Sequence, residues 1–462
     1  MENLQFLKLF RTLLTVLAVS GPFDSIITQS PPQSHEDIYH IIDSVCAERI
    51  ESDIRTLANF GTRHTLSDTV SLTRGIGAAR RWIKDEFSHI SSDCGHCLEV
   101  SYHKGLVTAG ESRRIPDDTW IVNVMAIKRG TKYPNRFIIM SGDIDSRVSD
   151  PLNGTSDSPG ANDNASGMAG VIEAARVLSK YDFESSIVFV GLSGEEQGLF
   201  GGKFLAADAL KWGWDIIGIL NNDMIGNIHG IDGVIDNSSF RVFSEPTPPK
   251  PDDQQLIWNR FYGGEVDGPS RQLARYVDRM TSQYMTNLKS KMIYRLDRFG
   301  RGGHHRPFND AGIPGVRIME THENYNMQHQ DIRVENGIAY GDVIEGVNFD
   351  YAAKLTAVNA ITLASIAWSP PGPELVMIGG AVRPSTRLKW DPIEDTENFA
   401  GYKVHWRDTT SPQWEYSRFV GKESDITLKG IIIDNFLFGV SSISKNGHES
   451  VIVYPKTLIP RR

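Results

Sequence analysis

Apolar residues are spaced in different ways along this chain, and the changes of spacing divide it. Over residues 36–59 they recur at helical intervals, as Ile38, Ile41, Ile42 and Val45 and then Ile50, Ile54 and Leu57, which predicts helix. GTRH at 61–64 interrupts that face, and a second helix is predicted over 75–90 from Ala78, Trp82, Ile83 and Phe87. Strand-like runs follow at 98–102 and 120–127. From Arg136 the pattern becomes strand, helix, strand, helix. Short apolar runs at 137–140, 186–192, 216–220 and 315–319 are separated by helical spacing at 166–181, 200–212, 270–288 and 351–368. Strands that are apolar throughout, rather than alternately, are covered on both faces. The fold class predicted is therefore α/β, with a mainly parallel or mixed central sheet and helices on both sides.

Beyond SPPGP at 369–373, a linker by composition, the spacing changes again. Residues 386–390, 401–406, 426–428 and 436–443 read as short strands, several of them alternating apolar with polar, divided by turn signals such as Lys445-Asn446-Gly447. This predicts a small all-β sandwich. It carries no constellation of reactive side chains, so packing or binding of a substrate surface is its expected role. At the other end, Lys8 and Arg11 precede an apolar run at 12–19 that leaves through Ala18-Val19-Ser20. That is the form of a signal peptide over 1–20, implying a secreted or periplasmic protein, with a buried N-terminal helix as the other reading. The run is too short to span a bilayer, and no other stretch is apolar enough, so no integral membrane anchor is expected.

In such a sheet, ligands bind beyond the carboxyl ends of the strands, and acidic residues collect there. Asp143 and Asp145 follow the run at 137–140. Asp163 lies in PGANDNASG (159–167), ahead of a helix. Glu195 and Glu196 lie in SGEEQG (193–198), Asp223 in NNDMIG (221–226), and His329 in QHQD (328–331). One acid at a strand end is a solvated cap. Several at successive ends of one sheet repel unless cations relieve them. Ser141 and Ser193 lack the G-x-S-x-G elbow of a serine hydrolase.

These motifs, in this order, resemble the clan MH di-zinc aminopeptidases, the secreted leucyl-type aminopeptidases and their relatives. The resemblance covers residues 37 to about 368 and implies an exported metallopeptidase that removes residues from peptide or protein N-termini. It implies two divalent ions, zinc by default, bridged by Asp163, with Glu196, Asp223 and His329 completing the ligands. Glu195 would be the general base. Asp145 and His305 would stand behind the ligands and orient them. Two positions depart from the pattern. Where relatives usually carry His, this chain has Asp143; where they carry an acid before His305, it has His304. By analogy Asp143 shares one ion with Asp163 and Asp223, so that ion would see only carboxylates, a set that shifts preference toward manganese or another harder ion. His304 is a candidate to supply the missing imidazole. The alternatives are another zinc-dependent amide chemistry, such as carboxypeptidase or glutaminyl cyclisation, or a binding protein whose metal site has decayed. The C-terminal sandwich resembles a fibronectin type III module over 374–456, after a peptidase domain over 36–368.

Composition narrows the rest. The 462 residues suit one large and one small domain. A net charge of −9 without a basic run gives no nucleic-acid footprint. Cys94-Gly-His-Cys97 reads as a local disulfide or spare thiols, half a zinc site, or a redox pair, and Cys46 is left over. Asn153, Asn164 and Asn237 begin glycosylation sequons. His64, His103 and His322 read as ordinary surface or core histidines, and the Pro-containing stretch at 243–264 as an insertion able to rim the site.

Overall fold

A computed structural model describes residues 36–246, 251–394 and 397–460. The proposed export signal lies outside the described residues. Helices α1 (Glu36–Ser44), α2 (Ala47–Asn59) and α3 (Gly75–Asp93) lead into strands β1 (Leu98–Val107), β2 (Thr119–Lys128) and β3 (Tyr133–Asp143). There follow α4 (Gly167–Leu178), β4 (Ser185–Leu192), α5 (Phe200–Lys211), β5 (Asp215–Asn222) and β6 (Ser239–Ser244). Next come α6 (Asp253–Tyr262), α7 (Pro269–Tyr284), β7 (Lys289–Ile293), α8 (His305–Asp310) and β8 (Gly315–Glu320). A small hairpin, β9 (Arg333–Glu335) and β10 (Ile338–Tyr340), precedes α9 (Phe349–Trp368).

The eight long strands form one mixed sheet in the order β1-β2-β4-β3-β5-β8-β6-β7. Its centre, β4-β3-β5-β8, is parallel, and antiparallel pairings join β1, β2 and β6 to it. Successive side chains of β3 enter opposite layers. Ile138 and Met140 pack with α2, α4 and α9, whereas Phe137 and Ile139 pack with Leu205 of α5 and Phe308 of α8. That is why these strands are apolar at every position. The chain runs from β3 through α4 to β4 on one side, and β5 then pairs on the other side of β3. This reversal of strand order opens a crevice at the carboxyl ends.

The helical spacing at 36–59 is broken at Val45-Cys46. The cause is Glu173 of α4, whose buried carboxylate accepts the Cys46 N–H at 2.9 Å and pairs with Arg49. Cys94 and Cys97 form a disulfide and Cys46 is free.

The C-terminal strands are β11 (Glu374–Gly379), β12 (Ser385–Asp391), β13 (Phe399–Asp408), β14 (Tyr416–Gly421), β15 (Asp425–Lys429), β16 (Phe436–Ser444) and β17 (Thr457–Leu458). Sheets β15-β12-β11-β17 and β14-β13-β16 enclose a shared core built on Trp390, Leu388, Tyr402, Val404 and Val440. Within the stretch at 243–264, Trp258 of α6 packs against the core of this sandwich. The sandwich is fastened to α7 by charge. Buried Asp267 meets Arg275 at 2.7 Å and Arg407 of β13 at 2.9 Å. Arg279 meets Glu449 at 2.8 Å, and the Tyr276 hydroxyl donates to the Glu449 carbonyl at 2.7 Å. The proline-rich linker is tied down too, its Pro371 carbonyl accepting from the Ser442 hydroxyl at 2.6 Å. No described helix is long and apolar enough to cross a membrane.

Candidate metal centre

The crevice collects the acids at the strand ends. Asp143 is the last residue of β3, and next to it Gly142 lets α4 begin against the strand, since a Cβ there would lie 2.6 Å from the Gly167 carbonyl carbon. Asp145, two residues on, accepts the N–H groups of Glu195 (3.2 Å) and Glu196 (3.1 Å) and the Thr65 hydroxyl (3.1 Å). It holds the turn after β4 and so sets the directions of the two glutamates. Fully buried Arg63 gathers the loop before α4 through the carbonyls of Ile144 and Gly160, at 2.8 and 2.9 Å. Asp342 accepts the N–H groups of Asn162 and Asp163 at 2.8 and 2.6 Å. Asp163 is thereby aimed inward.

Three of the predicted ligands come together. His329 Nε2 lies 2.9 Å from Asp163 Oδ2 and 2.8 Å from Glu196 Oε1. One ligand atom from each of the three falls within 4.8 Å of the others. His329 reaches this place with φ of 55°, a conformation that costs a non-glycine residue about 1–3 kcal/mol and is kept where surrounding structure demands it. Gln328 donates to Asp163 at 3.2 Å. Arg147 pairs with Glu196 Oε2 at 2.7 Å and lies 2.7 Å from His329 Nδ1. Burial opposes a charge on the imidazole, but Glu196 and Asp163 outweigh it and raise His329 to about 9. Burial by itself would raise the two carboxyls; the His329 charge brings both below their usual range. A proton thus stands between two anions, where a cation would stand. One imidazole and two carboxylates at this spacing fit zinc.

Asp143 and Asp223 do not form such a group, among the described residues, with any other candidate ligand. Asp143 Oδ1 is 2.5 Å from His304 Nδ1, and its Oδ2 accepts from the Asn164 amide at 2.7 Å. Burial and the charge of Asp145 push the Asp143 carboxyl well up, and burial pushes His304 down to about 4. Asp223 meets the guanidinium of Arg317 at 2.9 Å. Glu195 is half-buried beside these groups. Burial and then the surrounding carboxylates hold its carboxyl well above the usual range. Among the described residues none donates a hydrogen bond to that carboxylate.

His305 does not serve the ligands as expected. Its ring is fully buried and turned toward the Leu296 carbonyl at 2.7 Å and Asp297 at 3.5 Å. His304 meets Asp143 rather than replacing it as an imidazole ligand. His64, His103 and His322 are engaged with the Pro151 carbonyl, Asp208 and Asp232. Asn164 is fully buried, so its sequon is closed in the folded chain, whereas Asn237 is exposed. Arg147, Arg317, Asp297 and Asp342 were not found from sequence. Arg147 follows Asp143 and Asp145 by four and two positions, the one local signal for it; the other three stand in no recognisable motif.

Beside Gln328 lies a small hollow of about 10 Å³, room for a single water, walled by Met224, Asn227, Glu320 and Met327. Its lining contains two acidic side chains, Glu320 and Asp342, and no basic one.

A family model described as peptidase family M28 matches residues 123–337. A probable zinc metalloprotease of Pyrenophora tritici-repentis is 40% identical over 428 residues, covering 92% of this chain and 88% of the relative. One from Leptosphaeria maculans is 41% identical over 426 residues, covering 92% of this chain and 98% of the relative. Among solved structures, the LapA aminopeptidase of Legionella pneumophila superposes with a TM-score of 0.53 at 16% identity, covering 79% of this chain and 81% of that one. At that identity the likeness is one of fold.

Proposed function

The chain belongs to peptidase family M28 and is a zinc metallopeptidase, and from that premise we propose that it is an aminopeptidase. It would hydrolyse the first peptide bond of peptides, with zinc held by Asp163, Glu196 and His329 and with Glu195 as general base. The observation that carries this reading is the Asp163–Glu196–His329 trio with Glu195 next in sequence to one of its members. Bound zinc supplies Lewis acidity, lowering the pKa of a water and drawing charge from the scissile carbonyl. Glu195 takes the proton of the attacking water and returns it to the leaving amine. Its raised carboxyl pKa suits holding that proton between the two steps, and a nearby cation lowers it enough to accept one. Asp145 keeps Glu195 and Glu196 pointing apart, so that one is free for protons while the other binds. Asp143 and Asp223 are the ligands that a second ion would need.

The choice of the amino end follows the LapA aminopeptidase of Legionella pneumophila, whose fold this chain shares. The same reading takes residues 1–20 as an export signal, 36–368 as the peptidase domain and 374–456 as a fibronectin type III-like domain. The Cys94–Cys97 disulfide supports an oxidising destination.

The test is a peptide panel with free and acetylated N-termini, read by mass spectrometry, on wild type and Glu195→Gln. Stepwise loss from free N-termini only is expected, and the variant should lose at least 10²-fold in kcat while keeping its zinc. Cleavage from the C-terminus, cyclisation of N-terminal glutamine, or an active variant would each overturn the assignment.

A further inference from the structure

We propose that this centre is mononuclear: it binds one zinc at Asp163, Glu196 and His329, and the guanidinium of Arg317 stands where a second cation would be. The inference rests on the metallopeptidase reading above and departs from the two-ion expectation.

The groups that would hold the second ion are already committed. Arg317 is fully buried in the sheet and anchored through Nε and Nη1, while Nη2 makes an ion pair without a hydrogen bond. Its Nε donates to the Asp223 carbonyl at 2.6 Å, and its Nη1 to the Gly302 carbonyl at 2.9 Å and to both oxygens of Asp297 at 3.1 Å. Its Nη2 is left 2.9 Å from Asp223 Oδ2. An arginine so held cannot swing aside, and it does not give up its charge. A dication on the Asp223 carboxylate would sit against a positive charge that is fully buried, where repulsion is least screened, whereas Arg147 beside Glu196 is partly exposed to solvent.

Asp143 is no better placed. One of its oxygens faces His304 and the other faces Asn164, and its side chain is shorter than the histidine expected there. His304 does not restore the ligand. Its Nδ1 is spent on Asp143, and its opposite edge lies against α5, where a Cβ on Gly202 would come within 2.8 Å of Cδ2. Its Nε2 is buried without a partner. The two departures from the family pattern therefore meet as a pair. Carboxylate and imidazole have exchanged places, and the imidazole now bonds the carboxylate instead of an ion. Among the described residues, Asp163, Glu196 and His329 alone keep ligand atoms within reach of one another. The charge that a second ion would neutralise is met by Arg317, and the water-activating work falls to one ion and Glu195.

Metal counting tests this independently of activity. The full-length protein is dialysed against micromolar zinc, stripped of loose metal on a desalting column, and assayed for zinc by mass spectrometry. Its cobalt form is examined by electron paramagnetic resonance. One zinc per chain and an uncoupled cobalt signal are expected. Asp143→Asn should still bind one zinc, with affinity changed less than about threefold in a chelator competition. The triple variant Arg317→Met, Asp143→His, His304→Asp should gain a second. Two zinc ions per wild-type chain, spin-coupled cobalt, or loss of one ion in Asp143→Asn would overturn the inference and leave the metallopeptidase reading standing. Absence of any tightly bound zinc would overturn both.

Discussion

Asp267 joins the peptidase body to the sandwich, and replacing it with Asn tests how strongly. The carboxylate is buried and lies 2.7 Å from Arg275 and 2.9 Å from Arg407, each of which is about as deeply buried. Asp267→Asn keeps the shape and the hydrogen bond from Gln272 (3.0 Å) but leaves two guanidinium groups facing each other without an anion. Breaking a buried pair from one side costs about 3–5 kcal/mol. Both arginines keep carbonyl acceptors, Val266 and Pro412 for Arg275 and Ser411 for Arg407, so the lower end, about 3 kcal/mol, applies. At about 2.1 cal/mol/K per residue, unfolding all 462 residues together changes entropy by about 1 kcal/mol/K. The expected fall in Tm is then about 3 °C in differential scanning calorimetry. If the sandwich melts on its own, its smaller entropy gives a larger shift and a split endotherm. Adding Arg407→Gln to Asp267→Asn should recover part of the loss by removing one uncompensated charge. A variant melting within 1 °C of wild type, or a double variant whose losses simply add, would refute the claim that this carboxylate couples the two parts.

Three further outcomes follow from the same geometry. Asp145→Asn keeps one acceptor but turns a donor toward the N–H groups of Glu195 and Glu196, so kcat/KM should fall about 10–100-fold; an unchanged value would mean that the turn holds itself. Burial by itself raises the Glu449 carboxyl, but Arg279 and His405 bring it well below the ordinary value of 4.5. Its contribution is therefore complete above that value and is lost as pH falls below it. Limited proteolysis at the linker should accelerate below pH 4.5 in wild type, and the acid sensitivity should shrink in Glu449→Gln. Gly142→Ala would press a methyl group against the start of α4, 2.6 Å from backbone, and should cost about 1–3 kcal/mol by urea unfolding; a neutral result would show that α4 can retreat.

The strand ends could be read from sequence because an α/β sheet turns a linear order of motifs into a spatial cluster. Apolar runs followed within a few residues by acids bring Asp143, Glu196 and Asp223 to one rim, and the loop ahead of α4 returns Asp163 to it. What the pattern could not carry was the counter-charge. Arg317 sits inside the apolar run at 315–319, and it is fully buried because Asp223 and Asp297 close on it from other elements, partners that no local pattern names. The break at Val45-Cys46 was hidden for the same reason: its cause, Glu173, lies 127 residues away. His305 shows the limit of analogy by loop. The loop is near the centre, but ring orientation depends on the Leu296 carbonyl, which no motif records.

Asn164 has a bearing on how this protein is to be made. Its amide reaches Asp143 and the Asn222 carbonyl, both at 2.7 Å, from a position without solvent contact, while Asn164-Ala165-Ser166 is an acceptor for oligosaccharyltransferase. Where the chain is exported in a glycosylating host, the two fates compete, because a sugar on Asn164 would not fit in the closed position between β3 and α4. Yield in such a host becomes a race between folding and modification. Ser166→Ala removes the acceptor at the cost of a buried hydroxyl that bonds the Asn162 carbonyl at 2.7 Å, so a bacterial host whose periplasm lacks this transferase is the cleaner route to homogeneous protein.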